Sequence, residues 1–161
     1  MNYQRLVVTC DPGVRGREML ERALAGSARR TFLQDIPAAE RASQLRAADV
    51  LLSWIPAKEL RAREWDELGG VSLMQLISAG ADLVPFAKLP SEVMVASNAG
   101  AYAEPMAERV LAMTLALAKR LRVEHEKMWR GEFDQSTLNR SLRGATCTIL
   151  GFGGSGELPP A

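Results

Sequence analysis

Histidine is nearly missing from this chain: His125 is the only one in 161 residues, and cysteine occurs twice, as Cys10 and Cys147. One imidazole and two scattered thiols cannot supply the ligand set of a usual zinc centre, so no metal is expected. Two cysteines in strand-like segments read as small buried apolar residues and not as a disulfide framework. Long hydrophobic runs are missing too. The greasiest stretch, Leu111 to Ala118, contains Thr114 and lies between Arg109 and Lys119, well short of the roughly 20 residues a membrane span needs. Near the start, Leu6 to Cys10 is too brief for the core of a signal peptide. Neither sign of charge dominates, with 20 basic against 19 acidic side chains and a formal net charge of +1. That balance gives no electrostatic reason to expect nucleic acid or an anionic membrane as partner. The composition predicts a soluble, cytoplasmic protein with neither partner.

What is present is an ordinary globular composition, 47% apolar and 24% charged, arranged as an alternation of short apolar runs and helical stretches. Leu6 to Cys10 predicts a strand, stopped by Asp11-Pro12-Gly13. Arg17 to Ala25 predicts a helix with Met19, Leu20, Ala23 and Leu24 on one face. Arg30 to Leu33 is a second strand. Pro37 to Ala48 is a helix opened by proline, and Val50 to Leu52 a third strand leading into Ser53-Trp54-Ile55-Pro56. A short helix over Arg63 to Leu68 ends at Gly69-Gly70. Ser72 to Ile77 and Val93 to Ala96 predict the fourth and fifth strands, followed by the loops Ser78-Ala79-Gly80-Ala81-Asp82 and Ser97-Asn98-Ala99-Gly100. Short apolar strands without strict alternation suit a parallel sheet buried on both faces. Their alternation with helices predicts an α/β, doubly wound fold with helices on both faces of the sheet.

From Ala103 the pattern changes. Met106, Val110, Leu111, Met113, Thr114, Leu117 and Leu121 recur at helical spacing, predicting one long helix with a broad buried face. Arg122 to Arg130 is a charged, solvated helix, and His125, between Glu124 and Glu126, reads as a surface residue. Gly131 to Arg143 is polar and loop-like. Ala145 to Leu150 predicts a sixth strand, and Gly151-Phe152-Gly153-Gly154-Ser155-Gly156 follows it at once. This is a G-x-G-x-x-G spacing directly after a strand, the context in which such glycines cradle a pyrophosphate. The helix that should follow is absent, because Pro159-Pro160 cannot continue one.

Three segments in order carry a resemblance: Ser78-Ala79-Gly80-Ala81-Asp82, the run from Asn98 through Glu104-Pro105-Met106 to Ala112, and Leu142-Arg143-Gly144 ahead of the glycine loop. Together they resemble the D-isomer-specific 2-hydroxyacid dehydrogenases over roughly residues 45 to 156. The resemblance implies a flavodoxin-like substrate domain over 1–101, and a connecting helix and helical arm over 102–143. Residues 144–161 would then be the truncated start of an NAD(P)-binding Rossmann domain. It implies hydride transfer between NAD or NADP and a small 2-keto or 2-hydroxy acid.

On this resemblance the amides of Ala79, Gly80 and Ala81 grip the substrate carboxylate, and Ser53 and Trp54 shape the pocket wall. Asn98, Gly100 and Met106 face the cofactor, and Gly151, Gly153 and Gly156 take its pyrophosphate. The family's catalytic arginine, glutamate and histidine fall after Gly156, so no catalytic residue is assigned and the chain alone is expected to be inactive. Plainer readings stay open, with Trp54 as a core-edge aromatic and residues 78–82 as a simple turn. A non-catalytic flavodoxin-like module that binds a small carboxylate or a partner protein is the alternative function, and a methyltransferase is a weaker one. Uncovered apolar faces predict a homo-oligomer, a dimer or larger, or aggregation.

Overall fold

A computed structural model of the chain describes residues 5–151 and 153. These divide into two compact units, Met1–Ala99 and Gly100–Ala161. The first is built on five short strands: β1 (Arg5–Val8), β2 (Arg29–Phe32), β3 (Val50–Ser53), β4 (Leu73–Leu76) and β5 (Met94–Ala96). All neighbours pair in parallel, in the order β2-β1-β3-β4-β5. This is the flavodoxin-like strand order, and the α/β, doubly wound reading of the sequence holds.

Register explains why the strands do not alternate cleanly. Val7, Leu51, Met74 and Val95 lie side by side across the sheet and point to one face. There they pack with Leu33, Leu45, Trp65 and Leu68, from α2 (Arg41–Arg46), a 3-10 helix over Ala62–Glu67 and neighbouring turns. Leu6, Val8, Val50 and Leu52 point the other way and meet Leu20 and Leu24 on and just after α1 (Gly13–Ala23). Both faces are therefore apolar along the middle strands, as expected of a sheet with helices on each side.

Several local expectations shift. Met19 is 69% exposed and Ala23 is also exposed, so the buried stripe of α1 narrows to Leu20, backed by Leu24 just beyond the helix. Residues 37–40 form a turn closed by the Glu40 amide donating to the Pro37 carbonyl (2.9 Å), and α2 starts only at Arg41. A four-residue helix, α3 (Pro56–Glu59), follows β3, where the sequence pattern predicts no element before Arg63.

A buried ion pair joins the elements of the α2 face. The Arg41 guanidinium donates through Nε (2.6 Å) and Nη2 (2.9 Å) to the two carboxylate oxygens of Glu64. It also donates to the carbonyls of Leu33 (3.2 Å) and Glu59 (3.0 Å). The Arg61 amide adds a further bond to Glu64 at 2.8 Å. With its partners filled on both sides, this pair is tolerable in an apolar setting. The bond from Arg41 holds Glu64 below the ordinary carboxylate range, against the upward push of burial.

Among the described residues the second unit has two helices, α4 (Ala103–Ala118) and α5 (Leu121–Trp129). The single helix expected from Ala103 to Leu121 is interrupted at Arg120, which takes a left-handed conformation (φ 51°), so Leu121 opens the second helix. Beyond α5 the chain is tied back locally. Lys127 Nζ donates to Asp134 at 2.7 Å, and the Arg140 amide to the Ala118 carbonyl at 3.1 Å. Three expectations fail here. The α4 stripe of Met106, Val110, Leu111, Met113 and Leu117 is exposed, as is Leu121. Residues 145–150 form no strand, and Cys147 is exposed where a buried thiol was expected. A strand exists only through its ladder, and among the described residues this unit has no other strand to pair with.

Candidate functional site

In a parallel sheet all strands end on the same side, and ligands gather at that carboxyl edge, above all where the strand order reverses. Here the reversal lies between β1 and β3. Thr9 follows β1 directly and Ser53 ends β3, and both are buried. The Thr9 amide donates to the Leu52 carbonyl (2.9 Å), and the Ile77 amide to the Ser53 carbonyl (2.8 Å), extending the ladder one step. The loops after β3 and β4 therefore leave the edge side by side. The Asn98 amide donates to the Ser78 carbonyl at 2.9 Å and ties the loop after β5 to the loop after β4. Ser53, Trp54, Ala79, Gly80, Ala81 and Asn98 are thus collected along one edge.

Their environments differ. Ser53 is fully buried, whereas Trp54 is 57% exposed and lies outside the apolar core. Ala79 and Gly80 are exposed, and Ala81 is half-buried against the α2-side core. The Ser78 hydroxyl donates to the Gly80 carbonyl at 2.9 Å and the Val84 amide to the Ala81 carbonyl at 3.0 Å. These bonds fix the loop through its carbonyls. A Cβ built at residue 80 would stand 2.7 Å from an Asp82 carboxylate oxygen. Glycine at this position lets that carboxylate fold back over the loop.

Sequence reasoning missed the most heavily bonded group at this edge. Glu59, at the end of α3, turns its carboxylate back beneath the loop after β3. Oε2 accepts the hydroxyls of Ser53 (2.5 Å) and Thr9 (2.6 Å). Oε1 accepts the amides of Ile55 (2.6 Å) and Trp54 (3.1 Å). Gln34 Nε2 donates to the Thr9 carbonyl at 2.5 Å and joins the same cluster. Beside it the Cys10 thiol is pushed up to about 11, first by burial and then by the negative charge of Glu59. No local pattern marks Glu59, because one of its partners lies fifty residues earlier in the chain.

The remaining predicted residues fall in the second unit. Gly100 precedes α4 with a left-handed backbone (φ 85°), and Met106 is an exposed residue on α4. Gly151 is also left-handed (φ 93°), and a Cβ built on it or on Gly153 would meet nothing within 4 Å. Gly156 lies outside the described residues. His125 is exposed on α5, where its ring stands 6.5 Å from that of Trp129. Among the described residues no group of three or more metal-ligating side chains converges, and no helix is long and apolar enough to cross a membrane.

No family model matches the sequence, and no curated protein does. Solved structures do match by fold. A probable 2-hydroxyacid dehydrogenase of Rhizobium etli CFN 42, in complex with NADP, HEPES and L(+)-tartaric acid, superposes with a TM-score of 0.72 at 17% identity. The match covers 98% of this chain and 47% of that one. A D-lactate dehydrogenase of Treponema pallidum matches with a TM-score of 0.72 at 18% identity, over 95% of this chain and 47% of its own. The D-lactate dehydrogenase of Aquifex aeolicus, complexed with NAD and lactic acid, matches with a TM-score of 0.68 at 20% identity, covering 95% and 46%. This chain thus has the fold found in D-2-hydroxyacid dehydrogenases and spans about half the length of the solved chains it matches.

Proposed function

We propose that the chain is part of an oxidoreductase of the D-2-hydroxyacid dehydrogenase type, which moves a hydride between NAD or NADP and C2 of a small 2-keto or 2-hydroxy acid. The observation that carries this reading is the carboxyl edge itself. Ser53-Trp54-Ile55 and Ser78-Ala79-Gly80-Ala81-Asp82 leave adjacent strands of a β2-β1-β3-β4-β5 sheet next to its reversal point. The fold is shared with structures that hold NAD and lactic acid, or NADP and tartaric acid, which supports an acid of that size.

In this reading the amides of Ala79, Gly80 and Ala81 bind the carboxylate of the acid, as converging N–H groups do for anions. Ser53 and Trp54 form the wall beside it. Asn98, Gly100 and Met106 face the cofactor, and Gly151, Gly153 and Gly156 belong to its pyrophosphate. The left-handed backbone at Gly151 and the open space around it suit a close phosphate. Residues 145–150, however, carry no strand, so the described glycines are not a finished cradle. The single histidine is exposed on α5, and no proton donor for C2 chemistry is assigned within the chain. We assign it acid binding without turnover on its own. Its exposed apolar helices fit association into a homo-oligomer.

Calorimetric titration of the chain with pyruvate, and separately with NADH, tests the reading. Saturable pyruvate binding in the millimolar range is expected, and its absence would remove the substrate assignment. Pyruvate binding with no NADH binding would favour the alternative, a non-catalytic flavodoxin-like module that holds a small carboxylate.

A further inference from the structure

Four donors meet on the Glu59 carboxylate, and they come from three places in the fold. Thr9 follows β1, Ser53 ends β3, and the Trp54 and Ile55 amides open the next loop. The two hydroxyl-bearing residues are buried, Thr9 at 2% and Ser53 at 0% exposure. The frame around them is fixed independently of Glu59. The Thr9 backbone is bonded to Leu52 and to Gln34, and the Ser53 carbonyl accepts the Ile77 amide. From behind, the Arg41 guanidinium holds the Glu59 carbonyl at 3.0 Å while it is clamped to Glu64. A cradle of two hydroxyls and two amides, set at the reversal point of a parallel sheet, is the donor set that binds a free carboxylate.

We propose that Glu59 is an internal ligand: its carboxylate fills an anion cradle made by Thr9, Ser53, Trp54 and Ile55 that would otherwise take a small monocarboxylate. In filling it, Glu59 holds the loop after β3 in place and, with it, the exposed Trp54. Removing the CH2–COO⁻ of Glu59 leaves the Ser53 hydroxyl and two amides without their acceptor, and the Thr9 hydroxyl with only its longer bond to the Leu52 carbonyl at 3.2 Å. The Ser53 side chain is buried and an unpaired buried donor is costly, so a free ion of the same shape should enter. The fragment removed by Glu59→Ala is acetate in outline, which makes acetate the matching guest and formate a smaller one. This site is distinct from the amides of residues 79–81 and does not depend on the dehydrogenase reading.

The test is chemical rescue in the whole chain. Glu59→Ala and Glu59→Gln are prepared, and melting is followed in sodium acetate, sodium formate and sodium chloride at equal ionic strength. Amide resonances of Trp54 and Ile55 are recorded in parallel. Glu59→Ala should melt several degrees below the parent in chloride and recover at least half of that loss in acetate, saturably. The two amides should shift with the same dissociation constant. Glu59→Gln keeps an acceptor for the two amides, so it should melt between the two and gain nothing from acetate. Equal melting of Glu59→Ala in acetate and chloride would overturn the proposal, as would amides that ignore acetate. Should Glu59→Ala fold only when acetate is present, the proposal stands; should it fold in neither salt while Glu59→Gln folds, the cradle does not accept a free ion and the proposal falls.

Discussion

At the scale of single residues, the carboxyl edge is decided by where charge and thiol are placed. Asp82 folds back over Gly80, in the loop proposed to hold the acid's carboxylate, and two like charges about 5 Å apart in water-like surroundings repel by about 1 kcal/mol. Asp82→Asn should therefore tighten pyruvate binding by about threefold to tenfold. Unchanged or weaker binding in the same titration would place the acid elsewhere. The thiols give a second check. Cys10 is buried beside Glu59 with its thiol pushed up to about 11, while Cys147 is exposed. Since the thiolate is the reactive form, a disulfide reagent at pH 8 should label one thiol per native chain, at Cys147, and two after denaturation. Rapid labelling of both in the native protein would contradict the burial of Cys10.

At the scale of elements, the α2 face is held by the Arg41–Glu64 pair as much as by its apolar contacts. Replacing Arg41 with Met keeps a long apolar stem but takes from the buried Glu64 carboxylate the cation bonded to both its oxygens, leaving only the Arg61 guanidinium at 4.0 Å. Removing one partner of such a pair costs about 3–5 kcal/mol, and Arg41→Met should lower the denaturation midpoint accordingly. The pair also sets a pH dependence. Glu64 is held below its ordinary value by Arg41, so the folded state binds that proton less readily than the unfolded chain. The stability it contributes is fully present above the unfolded carboxylate range, near pH 4.5, and is lost as pH falls below it. In Arg41→Met that acid-side loss should shrink. A parent and variant whose unfolding midpoints fall in parallel below pH 5 would rule this out.

At the scale of the whole molecule, exposed apolar surface governs behaviour in solution. Val110, Leu111, Met113 and Leu117 on α4, with Met128 and Trp129 on α5, are more than half exposed. Met94 on β5 is 54% exposed. Patches of this kind drive association. Light scattering should give a mass above the 17.6 kDa of one chain, and Leu111→Lys with Leu117→Lys should lower it. A sharp monomer peak for the parent would count against association through α4.

The sequence by itself determined the first unit's architecture. Runs such as Leu6-Val7-Val8 and Val50-Leu51-Leu52 have no other stable use than as strands with two apolar faces, and the turns between them are written in glycine and proline. The loop Ser78 to Asp82 was legible for the same reason: it interrupts an apolar run with glycine and a charge. Only the tertiary structure decided the rest. Glu59 meets Thr9 across fifty residues, a distance that no periodicity encodes. The residues from Ala145 to Leu150 read as a strand because local preference favours one, but a strand is made by its neighbours. The stripe on α4 likewise records a preference for burial that the described residues do not fulfil. Local patterns state what a segment can bury or pair; whether it does so depends on a second surface that only the folded chain supplies.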